Sequence, residues 1–148
     1  MPPATVEAVY ASINAAYRYQ PEAPGRDDWR TPVEFEAAGG GDCEDFAIAY
    51  WYALRFLPGR ALLACCLRAD AAARQAHMVC LYYPTAGADP QVLDVLADAV
   101  CALSERPDLT VMFELDAYGL YSGQVMRPAG QVDAWARVLA CMAQQGAA

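Results

Sequence analysis

GGGDCEDFAIAYWYALRFLPG, residues 39–59, is the stretch from which the rest of the chain can be read. Its glycines break whatever precedes them, and Asp42 is a good N-cap residue directly before an apolar-rich run. The pattern predicts a helix from Cys43 to about Leu57, ended by Pro58 and Gly59, which do not continue a helix comfortably. Cys43 therefore falls in the first turn. There the main-chain N–H groups lack intrahelical acceptors and the helix dipole favours an anion.

Upstream, Val6, Val9, Tyr10, Ile13 and Tyr17 recur at helical spacing and predict an amphipathic helix over 4–17. Prolines and a glycine place 20–32 in a loop, and VEFEAA after Pro32 predicts a short helical turn. Downstream, ALLACCLR (61–68), HMVCLYY (77–83) and QVLDVL (91–96) are short apolar runs between turn-forming residues, as buried strands are. Residues 97–104 predict a brief helix or an irregular crossing, and RPD at 106–108 marks a turn. TVMFELD (110–116) and LYSGQVM (120–126) predict two further strands. The tail repeats apolar residues at Val132, Trp135, Val138, Leu139 and Met142, the period of a closing helix packed on the sheet. Helices followed by an antiparallel run of strands argue for an α+β fold rather than a doubly wound sheet, in a single domain over 1–148.

Composition narrows the function classes. Although 57% of the residues are hydrophobic, no apolar run reaches the roughly 18 residues that span a bilayer. Net charge is −8 and the ten basic residues are all arginines scattered along the chain, so nucleic acid is not an expected partner. The first residues, MPPATVEAVYASINAAYRYQ, lack the basic start and continuous apolar run of a secretory signal. Of the six cysteines, Cys65, Cys66, Cys80, Cys101 and Cys141 lie in apolar surroundings and read as small buried hydrophobes. A structural zinc site lacks its ligand spacing, with no CxxC pair and His77 the only histidine.

Cys43 stands apart from the other cysteines. A helix N-terminus lowers a thiol pKa, and the thiolate is the nucleophile of cysteine catalysis. The plain alternative is a structural cysteine at a helix start. His77 opens a strand and is the only imidazole that can serve a nucleophilic cysteine as base. Asp94 is a carboxylate inside an apolar run, where burial demands a partner; an imidazole would satisfy it, as would a turn or an arginine. Asp42, Glu44 and Asp45 form a dense acidic cluster suited to a hard, oxygen-seeking cation. They equally suit a helix N-terminus for dipole reasons alone. Trp29, in DDWRTP, is a candidate for the cleft wall or the oxyanion site, and a core tryptophan is its alternative.

The chain order of helix-start Cys, strand His and following Asp resembles that of the transglutaminase-like superfamily. DDWRTPVEF, GGGDCEDFAIAYWYAL, AHMVCLYY, VLDVL and RPDLTVMFELDAYGLY together resemble the bacterial transglutaminase-like cysteine proteinases, which include the LapG-type adhesin-releasing proteases. The resemblance covers roughly residues 5–125, and GDCEDFAIA is its most specific part. It implies a transglutaminase-like, papain-like fold with the nucleophile at the start of a central helix packed on an antiparallel sheet. It further implies Cys43 as nucleophile, His77 as general base and then acid, and Asp94 as the group that orients His77. Calcium dependence is implied through Asp42 and Glu44, with Asp45 as a further ligand. The implied substrate is the N-terminal region of a surface adhesin, the implied partner an inner-membrane cyclic-di-GMP receptor, and the implied compartment the periplasm. Without a signal in these residues, the cytoplasm is the alternative. Two positions depart from the family pattern. Tyr50 stands where a lysine is common, in a chain without lysine, and Val95 where an asparagine usually follows the aspartate. A transglutaminase-type acyltransferase with the same three residues, or a non-hydrolytic peptide-binding module of the same fold, are the alternative functions.

Overall fold

A computed structural model of the chain describes residues 5–21, 28–70, 73–123 and 125–146. Helix α1 (Val6–Ala16) is started by the Thr5 side chain, which accepts the Ala8 N–H. Helix α2 (Pro32–Ala38) begins with a capping box between Thr31 and Glu34 and has proline at its first position, where no N–H is needed. It ends at Gly39, whose φ of 78° is the left-handed conformation that glycine adopts most cheaply. Part of the expected loop between these helices, 22–27, lies outside the described residues.

Helix α3 (Cys43–Ala53) follows, extended by a 3-10 turn over Leu54–Phe56, as the sequence predicts to within a residue. It is the structural centre because its apolar residues face two ways. Phe46, Ala49 and Tyr50 pack with Val6, Val9, Tyr10 and Phe35 from α1 and α2. On its other side Ala47 and Ile48 pack with Trp135, Val138 and Met142 of helix α4 (Asp133–Gln144). Fully burying side chains of this size stabilises by about 1.5–3 kcal/mol each, which is why this helix holds its place without a solvent-facing stripe.

The sheet beneath contains β3 (Arg60–Ala69), β4 (Arg74–Tyr83), β5 (Gln91–Leu93), β6 (Cys101–Ala102), β7 (Leu109–Leu115), β8 (Gly119–Ser122) and β9 (Val125–Pro128). Among the described residues its order is β6-β5-β4-β3-β7-β8-β9, with every neighbouring pair antiparallel. Strands β3 and β4 pair along their full length, Arg60 opposite Tyr83 through Ala69 opposite Arg74. Strand alternation sends Leu63, Met78, Cys80 and Leu93 toward the helices, and Ala64, Cys66, Val79, Leu81 and Val92 into a smaller cluster with Leu109. The α+β architecture is therefore the expected one, a central helix on an antiparallel sheet.

Four details differ from the sequence reading. Residues 91–96 are not strand throughout: β5 stops at Leu93, and Asp94 begins a turn in which the Ala97 N–H donates to its carbonyl. LYSGQVM is not one strand but a hairpin, β8 and β9, turning at Gly123 with φ of 62°. Two two-residue strands, Arg18–Tyr19 (β1) and Gly40–Gly41 (β2), pair in parallel and tie the end of α1 to the start of α3. All six cysteines are free, but only Cys66 and Cys80 are fully buried; Cys65, Cys101 and Cys141 are half-buried.

Candidate active site

The site is built at the head of α3. Asp42 caps the helix, its Oδ1 accepting the Asp45 N–H at 3.4 Å, and Asp45 reciprocates by accepting the Asp42 N–H at 3.1 Å. The other Asp45 oxygen accepts the Arg30 N–H at 2.7 Å. Asp45 thus fastens the segment carrying Trp29 against the helix start. Gly41 is required here because a Cβ at that position would overlap the Asp45 carboxylate.

Cys43 occupies the first helical position, half-buried, and packs against the cluster containing Trp29, Ile48 and Met78. The main-chain N–H of Met78, the residue after His77 in β4, is close enough to the sulfur to favour the thiolate, so the thiol lies near the His77–Met78 peptide. The surroundings oppose the lowering that a helix start favours. Burial, then the charges of Glu44 and Asp42, push the thiol up to about 12 against the pull of the Met78 N–H. A helix terminus supplies only partial charges, whereas two carboxylates supply full ones in a setting with little water to screen them.

His77 and Asp94 are brought together. His77 Nε2 lies 2.8 Å from Asp94 Oδ1, with the two side chains 4% and 1% exposed. Asp94 Oδ1 also accepts the Leu96 N–H at 3.0 Å, and Oδ2 accepts from Arg106 Nη2 at 3.0 Å. Its main-chain carbonyl accepts the Tyr10 hydroxyl of α1 at 2.8 Å. All three partners considered for Asp94 from sequence, an imidazole, a turn and an arginine, are present at once. Burial pushes its carboxyl upward, but His77, the Leu96 N–H and Arg106 outweigh that and hold it below the usual carboxylate range.

The acidic cluster does not act as a unit. Both Asp45 oxygens accept main-chain N–H groups that define the helix start, one each. Burial, with Asp42 nearby, lifts its carboxyl to about 7. Among the described residues no group of three or more His, Cys, Asp or Glu side chains is arranged to hold a metal. Asp42 and Glu44 remain as a chemically suitable carboxylate pair flanking Cys43, fewer donors than the six to eight oxygens calcium takes. Trp29 is buried in the core and also borders a cavity of about 750 Å³ lined by Asp28, Arg30 and Asp42. Arg137, from α4, donates to the Trp29 carbonyl at 2.8 Å.

No family model and no curated protein matches the chain. Solved structures do. LapG of Legionella pneumophila, EGTA-treated, is 30% identical, with a TM-score of 0.82 over 93% of this chain and 77% of that one. A second structure of the same protein is 31% identical with a TM-score of 0.82, covering 93% and 75%. A calcium-bound one is 30% identical with a TM-score of 0.78, covering 93% and 78%. The chain belongs to the LapG-like bacterial transglutaminase-like cysteine proteinases. It is a cysteine peptidase of that fold. Within this LapG-like frame, Arg106 is the residue that sequence reading missed. RPD signals only a turn, and no local pattern announces an ion pair reaching back 12 residues to Asp94.

Proposed function

We propose that this LapG-like peptidase is a calcium-dependent endopeptidase that works through Cys43, His77 and Asp94 and cuts a bacterial surface adhesin in its N-terminal region. The observation that carries the reading is the buried 2.8 Å bond between His77 and Asp94, one peptide away from the Met78 N–H that lies near the Cys43 sulfur. With Nε2 committed to Asp94, Nδ1 is the ring nitrogen left to take the thiol proton. The resulting thiolate attacks a peptide carbonyl carbon and forms a C–S bond, while negative charge gathers on the carbonyl oxygen. The Cys43 N–H, in the first turn where no intrahelical acceptor exists, is a suitably placed donor for that oxygen. His77 then protonates the leaving amine as the C–N bond breaks. Water, deprotonated by the same ring, attacks the thioester and returns the sulfur to the thiol as the acid leaves.

Asp42 and Glu44 are the residues that would hold calcium, supported by their carboxylate chemistry and by the calcium-bound LapG of Legionella pneumophila. A cation there would offset the two charges that hold the thiol pKa high. The periplasm as compartment and an inner-membrane cyclic-di-GMP receptor as regulator belong to the same reading and follow from the family. Incubating the purified chain with candidate adhesin N-terminal domains tests it. Calcium-dependent cleavage that Cys43→Ala abolishes is the expected result. Cleavage that survives Cys43→Ala, or that chelation leaves unchanged, would count against it.

A further inference from the structure

Arg106 spends its guanidinium on two carboxylates. Nε reaches Asp108 Oδ1 at 3.0 Å and Nη2 reaches Asp108 Oδ2 at 2.9 Å, a two-pronged grip that fixes the plane of the group. The same Nη2 donates to Asp94 Oδ2 at 3.0 Å. The opposite oxygen, Oδ1, takes His77 and the Leu96 N–H, so each Asp94 oxygen has assigned donors. A carboxylate held in this way has no freedom to turn its charge away from the imidazole. The Arg106 side chain is itself only 15% exposed, so water screens the pair weakly.

We propose that Arg106 is a positioning residue for peptide hydrolysis: anchored by Asp108, it locks the Asp94 carboxylate in the orientation that fixes the His77 ring. The proposal rests on the triad reading above. The competing view is an ion pair that merely ties the turn before β7 to the end of β5. Other groups face the same pair: Tyr10 from α1, Tyr50 from α3, Cys66 from β3, and Arg68 of β3 at 3.9 Å from Asp108. Among the described residues Arg106 is the arginine that forms an ion pair with Asp94.

His77 is the only histidine, so the ¹⁵N-labelled full chain gives one set of imidazole signals, readable without any substrate. In the parent the neutral ring carries its proton on Nε2, toward Asp94. In Arg106→Gln the Nδ1–H tautomer becomes populated. The low-pH inflection that Asp94 imprints on the ring signals rises by about 1 unit, since a nearby guanidinium lowers a carboxylate by about that much or more. Arg106→Lys restores both in part. On a cleaved adhesin domain, Arg106→Gln loses about 10- to 100-fold in kcat with KM retained, the scale of one charge-assisted bond. An Arg106→Gln protein that melts earlier but keeps the parent tautomer and inflection would overturn the proposal. Should that variant fail to fold, Asp108→Asn removes the anchor while keeping the guanidinium, and must shift the same signals the same way by less; no shift in folded Asp108→Asn is equally fatal. Asp94→Ala separates the two levels: full cleavage by that variant sinks the triad reading, whatever the ring signals show of Arg106.

Discussion

Asp94→Asn is the sharpest single perturbation of this site, because it keeps the shape of the side chain and removes only charge and one acceptor. The amide has two orientations. With its oxygen toward His77 and Leu96, the NH₂ group faces Arg106 Nη2, donor against donor, and one charge-assisted bond is lost. Flipped, the NH₂ faces both His77 Nε2 and the Leu96 N–H, and two bonds are lost. Counting contacts favours the first orientation, which keeps the ring tautomer but leaves the imidazolium of the working enzyme without its counter-charge. Losing a charge-assisted bond in a site 1% exposed, together with the exchange of a full charge for a dipole, costs about 2–4 kcal/mol of stability. For a domain of this size that is a fall in Tm of about 5–15 °C. Removing the counter-charge disfavours the charged ring that the reaction passes through, so kcat drops about 10- to 100-fold, or nearer 10⁴-fold if the flipped orientation wins. The pH sign follows from the depressed Asp94 pKa. A carboxyl lowered in the folded state stabilises above the unfolded pKa of about 3.9 and loses that contribution as pH falls through its folded value. The part of the stability gap that comes from the Asp94 charge is therefore fully present above about pH 4 and closes below it. Thermal melts on both sides of that pH and steady-state cleavage at pH 7 measure both. A variant within threefold of the parent in kcat, or a gap that opens rather than closes in acid, would refute the reasoning.

Three further outcomes are expected. In chelator, with His77→Ala to remove the ring, alkylation of Cys43 by iodoacetamide rises with an apparent pKa above about 10, in keeping with a thiol held near 12; a midpoint under 8.5 would refute the buried, carboxylate-flanked account. Calorimetric titration of chelator-treated protein with calcium gives heat that the Asp42→Asn, Glu44→Gln double variant abolishes and Asp45→Asn preserves, since Asp45 is committed to the Arg30 and Asp42 N–H groups; equal heats in parent and double variant remove the site. Gly41→Ala drives a methyl into the Asp45 carboxylate and costs more than about 2 kcal/mol, whereas Gly39→Ala meets no atom and costs about 1 kcal/mol for its φ of 78°, a ranking that urea denaturation checks.

What the sequence makes legible and what it hides divide along a physical line. Asp42 before Cys43, proline at the start of α2 and Pro58-Gly59 after α3 are local signals, and the structure uses each of them locally. The His77–Asp94 bond is non-local, yet it was within reach because an apolar run holding one carboxylate near one histidine leaves few ways to satisfy either. Arg106 was not, because the ends of ion pairs carry no period and its own neighbours spell only a turn. The thiol pKa of Cys43 was not legible for a related reason. Helix position is visible in sequence, but burial and the distance of Glu44 from the sulfur exist only once the chain is folded. Asp45 shows the reverse case: its spacing to Asp42 is that of a capping pair, and the folded chain uses it as one.

The two carboxylates beside Cys43 pose the physical problem that a working site must solve. Placed alone against a nucleophile, they oppose the thiolate that hydrolysis needs, and burial compounds the effect. Two positive charges are available to reverse it. In the proposed mechanism one is the imidazolium, which would form when the thiol proton moves to His77, beside an Asp94 that Arg106 and Leu96 keep ionised. The other would be a cation held by Asp42 and Glu44, which would turn the same carboxylates from a brake on ionisation into the means of placing positive charge next to the sulfur. Without it the flanking acids keep the sulfur protonated at neutral pH. The pair of residues that silences the nucleophile in chelator is thus the pair that would activate it in calcium, and this ties the proposed metal dependence to the thiol rather than to the fold.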